Sequence, residues 1–394
     1  MMKTVNALSR TLGRGAGTVA GGRVALRISP GIVSHLLTGR EVFAVSGTNG
    51  KTTTTALLVA ALGGSAATNA TGSNMLAGVL AALEDSTALK VVLEVDEAFL
   101  AAVVDASRNA ASVTVLLLNL SRDQLDRASE VRQMAERWHR FLGQVNHSNL
   151  RVVANVADPL VYFAVRDFQG VNNVWVPTPW REDSNSCPNC TNHIVFCENS
   201  WSCTCGLGSP VSSIVLSDVL TTPEGAFPLT LLLPGDFNRS NAAMALAAAH
   251  LSGVEWNQAL GRVSSVTEVA GRFSRRVWQG RTWRILLAKN PAGVAALLQS
   301  VVLSGADVVV DINDGLADGL DPSWIYDAPF ELLRGRMVWC EGSRQLDVAT
   351  RLSYDDVKVS IASELSREVP PGDVIDVIAN YTAFAKWIER SSPC

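Results

Sequence analysis

The sequence predicts an α/β protein: a phosphate-loop domain with a parallel-rich sheet, an inserted four-cysteine ribbon, and a second α/β domain towards the C-terminal end. Three observations carry that expectation. Short Val- and Leu-rich runs alternate with helical patterns, the order that yields parallel strands wrapped by helices. The run Val45-Ser-Gly-Thr-Asn-Gly-Lys-Thr-Thr53 joins one such strand to a helix. Five of the seven cysteines lie between Cys187 and Cys205.

Bulk properties bound the answer. At 394 residues the chain exceeds one ordinary core, so two or three domains are expected. Hydrophobic residues make up 47% and charged residues 18%, a composition that excludes a disordered chain. A net charge of -4 lacks the basic excess of a nucleic-acid binder. No apolar run approaches the roughly 18 residues of a membrane span, and Met1 to Gly22 lacks the continuous apolar stretch of a signal peptide. No nucleic-acid partner, no transmembrane segment and a cytoplasmic location are therefore expected.

Along the chain, Val42-Phe-Ala-Val-Ser46 reads as a strand entering the glycine loop, and Thr53 to Leu62 as the helix leaving it. Lys90 to Glu94, Ser112 to Leu118 and Arg151 to Asn155 are further apolar runs, continuous as buried parallel strands should be. Between 174 and 228 Pro, Ser, Asn, Trp and Cys accumulate, which marks an inserted module. Pro234-Gly-Asp-Phe-Asn-Arg-Ser-Asn241 then runs into an Ala-rich helix, Asn241 to Leu251. Strand candidates Trp283 to Leu287, Asp307 to Asp311 and Met337 to Trp339, with helices at Gly293 to Ser300 and Asp347 to Leu352, define the second unit. The expected domains are 1–270, with its insert, and 271–394.

Five constellations carry chemistry. In the first, backbone N–H groups of Gly47, Thr48, Asn49 and Gly50 and the following helix N-terminus form an anion cradle. Lys51 would neutralise terminal phosphates, and the hydroxyl of Thr52, followed by Thr53, would reach Mg²⁺. The first glycine lies closer to Gly50 than in the common Walker pattern. In the second, Glu94 ends a buried strand, where open α/β sheets bind ligands; it is the first choice for Mg²⁺, with Asp96 and Glu97 behind it. The third is Asn119-Leu-Ser-Arg-Asp-Gln-Leu-Asp-Arg127, emerging at the same sheet edge.

The fourth is the ribbon. Cys187 and Cys190, with Cys203 and Cys205, suit a structural tetrahedral Zn²⁺, and Cys197 is a spare ligand. Cys340 and Cys394 stand alone and read as inert thiols. The fifth is the acidic loop Asp311 to Asp321, continuing to Asp327, which lacks the spacing of a calcium loop. It follows the apolar run Val308 to Val310 and so lies at a site-forming position.

In order, these motifs resemble the Mur ligases and, more narrowly, the MurT family, the Mur-ligase-like subunits of lipid II isoglutaminyl synthase. The resemblance spans nearly the whole chain. It includes Leu12-Gly-Arg-Gly-Ala-Gly17, Gly72-Ser-Asn-Met75, Leu93 to Glu97, Leu118 to Arg127, the cysteine ribbon, Ala288-Lys-Asn-Pro-Ala-Gly293, the acidic loop, Gly342-Ser-Arg344 and Asn380-Tyr-Thr382. It implies a Mur-ligase-like central domain that uses ATP and Mg²⁺, paired with a GatD-type class I glutaminase subunit. The implied reaction activates the D-glutamate α-carboxyl of lipid II as an acyl phosphate, which ammonia converts to D-isoglutamine near the inner face of the membrane. The chain shows no Cys-His nucleophile pair of its own, in keeping with ammonia arriving from a partner.

The resemblance also implies roles for single residues. Asn238 and Asn241 match the segment that meets adenine. An aspartate of the C-terminal domain completes the glutaminase's triad; Asp314, Asp318, Asp321 and Asp327 are on offer, with Asp318 and Asp321 ranked first. Arg272 follows Gly271 in the order Ala-Gly-Arg-Phe, which departs from the family's Phe-Gly-Arg. Two further departures are a second cysteine pair one residue short and Gln124 in place of a histidine. A stand-alone Mur-type amino-acid ligase, a folylpolyglutamate synthase-like enzyme and a non-catalytic scaffold subunit are the rival readings.

Overall fold

The structure, a computed structural model, describes residues 22, 25–29, 31–69, 74–84, 86–122, 128–177, 181–315, 317–319, 321–361, 374–390 and 392–393. The motifs at 12–17, 72–73 and 123–127, and Cys394, lie outside the described residues. The chain separates into two compact units. One comprises the segments up to Ser121, Ser129–Leu231 and Arg239–Ser265; the other comprises Arg122–Ala128, Leu232–Asn238 and the chain from Val266. No helix among the described residues is long and apolar enough to cross a membrane.

In the first unit the chain runs α1 (Ile32–Leu37), β1 (Glu41–Ser46), α2 (Lys51–Ala61), β2 (Ala67–Thr68), α3 (Leu76–Leu83), β3 (Lys90–Glu94), α4 (Leu100–Ala106), β4 (Ser112–Leu117), α5 (Ala128–Gln144), β5 (Leu150–Asn155), α6 (Pro159–Val165) and β6 (Val171–Trp175). The ribbon strands β7 (Val195–Phe196) and β8 (Trp201–Ser202) follow. Then come β9 (Ile214–Leu216), β10 (Val219–Thr222), β11 (Gly225–Pro228), α7 (Asp236–Leu251) and α8 (Trp256–Ser264). Among the described residues these strands make a nine-stranded sheet in the order β11-β10-β9-β6-β5-β4-β1-β3-β2. Its pairs from β2 to β9 are parallel. Central strands such as β1 and β4 are buried on both faces, which is why they read as largely apolar runs and not as alternation.

The parallel-rich sheet expected from the sequence is present, with three differences of detail. The helix after the glycine loop starts at Lys51, because Gly50 takes a left-handed φ of 86° and caps it directly. α7 starts at Asp236, five residues ahead of Asn241: Gly235 turns the chain at φ 94° and Asp236 suits a first helical turn. Residues 214–228 extend the main sheet as β9–β11 instead of belonging to the ribbon. Their alternation was hidden by the turn residues around them.

The second unit carries β12 (Phe273–Trp278), β13 (Arg281–Leu287), α9 (Pro291–Ser304), β14 (Asp307–Asp311), β15 (Met337–Glu341), α10 (Gln345–Ser353), β16 (Lys358–Ile361), β17 (Val374–Ala379), α11 (Tyr381–Arg390) and β18 (Ser392–Pro393). The sheet order is β16-β15-β14-β17-β13-β12-β18, with parallel pairing from β16 to β13. Trp278, Trp283 and Trp387 cluster in its core, with centroids 4.8 to 5.7 Å apart. Arg284 clasps the fully buried Asp376 with two bonds of 2.6 and 2.7 Å, a geometry that keeps a buried charge compensated.

Candidate active site and metal centre

β1 delivers the chain to Gly47, whose φ of 141° is open to glycine. A Cβ there would lie 3.0 Å from Asn119 N and O and from Leu118 Cβ. Gly47→Ala is therefore expected to force the loop away from the β4 edge. Nucleotide affinity should fall about tenfold to a hundredfold and stability by about 1–3 kcal/mol; titration calorimetry and melting curves check both.

Lys51 opens α2, and its ammonium donates to Gly47 O at 2.5 Å and Thr48 O at 3.3 Å, while Glu97 Oε1 lies 3.3 Å away. The Thr52 hydroxyl donates to Glu94 Oε2 at 2.7 Å, so the hydroxyl and carboxylate chosen for Mg²⁺ stand together at the strand end. Thr53, also in the first turn, is buried. Asp96 instead caps the short turn after β3 by accepting from Ala98 N. Asn69 brackets the backbone of Glu94, donating to its O and accepting from its N, both at 2.8 Å. That clamp aims the carboxylate, and nothing local in the sequence marks Asn69 for it.

The loop is also clamped from β4. Asn119 accepts from Asn49 N at 2.9 Å and donates to Asn49 O at 3.0 Å. Thr48 Oγ1 donates to Ser121 O and accepts from Ser121 N, both at 3.0 Å. Asn241, from α7, packs against Gly50, so a Cβ there would collide with its side-chain oxygen. Asn238, one turn earlier, donates to Pro234 O at 2.7 Å.

In the ribbon, the sulfurs of Cys187, Cys190, Cys203 and Cys205 lie within 4.8 Å of one another. Cys187 and Cys205 are 3.7 Å apart and Cys190 and Cys203 3.4 Å. Four sulfurs each about 2.3 Å from one ion sit about 3.8 Å apart, so the quartet fits a tetrahedral Zn²⁺. The shortened second pair is accommodated by Gly206, at φ 88°. The Leu207 backbone N–H, then the Asn189 amide, hold the Cys205 thiol down to about 6, whereas burial pushes the Cys187 thiol up. Cys197 is exposed and outside the quartet.

In the second unit the acidic loop is tied to neighbouring strand ends. Asp318 accepts from Thr382 N at 2.9 Å and Thr382 Oγ1 at 2.5 Å. The Ser343 hydroxyl and Arg344 hold Asp314 below the usual carboxylate range, and the Ser323 backbone N–H does the same for Asp321. Asp327 is exposed at the end of a short turn. Asn313 and Asn380 knit the loop to β17, with bonds of 3.2 and 2.7 Å. Arg272 donates to Tyr381 Oη at 3.0 Å.

Asp311 behaves differently. It is fully buried; Oδ2 accepts from Trp387 Nε1 at 3.0 Å and Oδ1 has no hydrogen-bond partner. Burial, with Glu341 adding to it, pushes its carboxyl up to about 6. The folded state thus holds the proton more tightly than the unfolded one, and stability falls as pH rises from the unfolded pKa through about 6. Asp311→Asn should flatten that slope and raise stability above about pH 7, by an amount on the order of 3 kcal/mol. An unchanged slope in thermal melts from about pH 4.5 to about pH 7.5 would remove Asp311 as its source.

Comparison with known proteins identifies this arrangement. Residues 45–249, just over half the chain, match the Mur ligase middle domain. The chain belongs to the Mur ligase family. Residues 287–384 match the MurT ligase C-terminal domain. The chain is similar to the lipid II isoglutaminyl synthase (glutamine-hydrolyzing) subunit MurT of Staphylococcus aureus (strain COL), 26% identical across 99% of this chain and 96% of that protein. Two solved Mur-type ligases share the fold. A pseudomurein peptide ligase type C from Methanothermus fervidus has a TM-score of 0.67 at 18% identity, over 91% of this chain and 79% of that one. MurF ligase from Thermotoga maritima, solved with ADP, has 0.61 at 15%, over 94% and 83%.

Within this Mur-ligase frame, the structure brings Gly47, Thr48, Asn49, Gly50, Lys51, Thr52, Glu94 and Asn241 together, and it groups the four ribbon cysteines. Asp314 and Asp318 share one network with Ser343, Asn380 and Thr382, whereas Asp321 only caps its own turn at Ser323 N, 2.9 Å away. Sequence reasoning missed Asn69, Asn155 and Asp158. For Asp158 a signal existed, since Asp before Pro159 is a helix start.

Proposed function

We propose that this chain is the ATP-using synthetase subunit of a lipid II isoglutaminyl synthase, converting the D-glutamate α-carboxyl of the lipid II stem peptide to D-isoglutamine. The observation that carries the reading is Lys51 held on the glycine loop with the bonded Thr52–Glu94 pair beside it at the strand end. The near-full-length similarity to a MurT subunit supports the substrate class. The residues would act as follows. Loop N–H groups and Lys51 hold the β- and γ-phosphates, and Asn241 lies alongside the loop, with Asn238 one turn before it. Thr52 and Glu94 would hold Mg²⁺, which supplies charge neutralisation on the transferred group. The carboxylate oxygen takes the γ-phosphoryl group and ADP leaves; ammonia then attacks the acyl carbon, phosphate leaves with the C–O bond electrons, and the nitrogen sheds a proton.

Ammonia would come from a GatD-type glutaminase contacting the domain 271–394. Asp318, held by two bonds to Thr382, and Asp314, held by Ser343 and Arg344, are both fixed well enough to orient a partner's catalytic group. The four cysteines would hold structural Zn²⁺, and the enzyme would work at the inner face of the membrane on its lipid-linked substrate. A coupled assay with the glutaminase, ATP, Mg²⁺, glutamine and lipid II tests the reading by mass spectrometry. The product should be lighter by the difference between a hydroxyl and an amino group. A gain of an amino-acid residue instead would make the chain a conventional Mur-type ligase.

A further inference from the structure

We propose that the cysteine ribbon is a positioning element for the nucleotide site: Trp201, through the turn 155–158, fixes the segment 118–121 that clamps the phosphate loop. The inference rests on the loop 47–52 being that site.

The contacts form one unbroken series inside the first unit. Trp201, on the ribbon strand β8, is 1% exposed, and its indole N–H donates to Val156 O at 3.0 Å. Tyr162 of α6 meets the same ring edge-on, with centroids 5.7 Å apart. Val156 sits in the turn between Asn155 and Asp158, both nearly fully buried. From that turn, Asn155 donates to Leu118 O at 3.0 Å and Asp158 accepts from Leu120 N at 2.9 Å. Those two bonds secure the backbone on either side of Asn119, whose side chain then holds Asn49 N and O. Ser121, one residue further, holds Thr48.

The ribbon's attachment is a firm one. Cys187, Ile194, Trp201 and Cys203 belong to the same hydrophobic cluster as Val156, Ala157, Leu160 and Val161. Beside the first cysteine pair, Arg132 donates to Pro188 O at 2.9 Å and Arg166 to Asn189 Oδ1 at 3.2 Å. Ser184, just before the ribbon, donates to Asp158 Oδ1 at 3.5 Å. A passive surface insertion would need no buried donor aimed at a turn that supports the clamp. Phosphate binding by backbone N–H groups depends on their fixed direction, so small loosening of the turn should appear as weaker nucleotide binding.

The test uses the full-length chain, Mg·ADP titrated by calorimetry, and zinc content by plasma mass spectrometry. Trp201→Phe keeps an aromatic ring but loses the indole N–H and some volume; Asp158→Asn keeps the size and removes an acceptor. Each should weaken Mg·ADP roughly threefold to tenfold with zinc and the number of sites per chain unchanged, and should raise KM for ATP more than it lowers kcat. A role confined to folding would reduce the number of sites or the melting temperature and leave the affinity of the folded fraction as in wild type. Wild-type affinity in both variants, alongside lost binding in Lys51→Ala, overturns the inference while sparing the nucleotide site. Wild-type affinity in Lys51→Ala overturns the site itself. If Trp201→Phe does not purify folded, Asn155→Ala interrogates the same series from the body, and unchanged affinity there overturns the proposal as well.

Discussion

Lys51→Ala is expected to lower kcat for ATP-dependent amidation by about a thousandfold or more, equivalent to about 4 kcal/mol of transition-state stabilisation. The ammonium is the cation that α2 presents directly at the loop, and it is held there by Gly47 O and Thr48 O. Phosphoryl transfer asks a protein chiefly for positioning and charge, so losing that charge should lower kcat as well as nucleotide affinity. Lys51→Arg should rescue little, because a planar guanidinium cannot replace a compact ammonium held within 2.5 Å of a loop carbonyl. Retention of more than about a tenth of wild-type kcat in Lys51→Ala would place the chemistry elsewhere.

On the reading that the quartet holds Zn²⁺, Cys203→Ser should abolish stoichiometric zinc and lower the melting temperature by roughly 10 °C, corresponding to about 3–5 kcal/mol. The ribbon's paired strands, β7 and β8, are only two residues each, too little structure to hold a module without a crosslink. Cys187 and Cys203 are buried in the main core cluster, so ribbon collapse would reach the domain interior. Zinc stoichiometry and calorimetric melting in reducing buffer read the two effects together. Cys197→Ser, exposed and outside the quartet, should change neither; an equal loss would make Cys197 a ligand.

Much of the fold was legible before any coordinates. The apolar runs at Val42 to Val45, Val91 to Leu93 and Val115 to Leu118 are what strands buried on both faces must look like. The glycine loop between strand and helix, the acid ending β3, and the spacing of the cysteines are likewise local: each follows from a few consecutive residues and fixed covalent geometry. That is why local pattern could offer Lys51, Thr52 and Glu94 as candidates, with Asp96 and Glu97 behind Glu94, and five cysteines from which to draw a metal quartet.

What local pattern could not carry is every contact whose partner is a distant backbone group. Asn69, Asn155 and Asp158 read as ordinary polar residues, yet each fixes the backbone of a neighbouring strand end. Nor could composition separate β9–β11 from the ribbon, since Pro, Ser and Gly mark both, and only hydrogen bonding to β6 assigns those strands to the sheet. Trp201 shows the same limit: a tryptophan in a cysteine-rich stretch reads as ribbon core, and its donation to Val156 O appears once the ribbon is docked. The sequence by itself determined the central strands, the phosphate loop and the cysteine-rich ribbon, because these depend on periodicity and short-range spacing. Tertiary structure alone decided strand order, the clamps around the loop and which acids share a network, because those depend on burial and on backbone donors and acceptors that every residue carries alike.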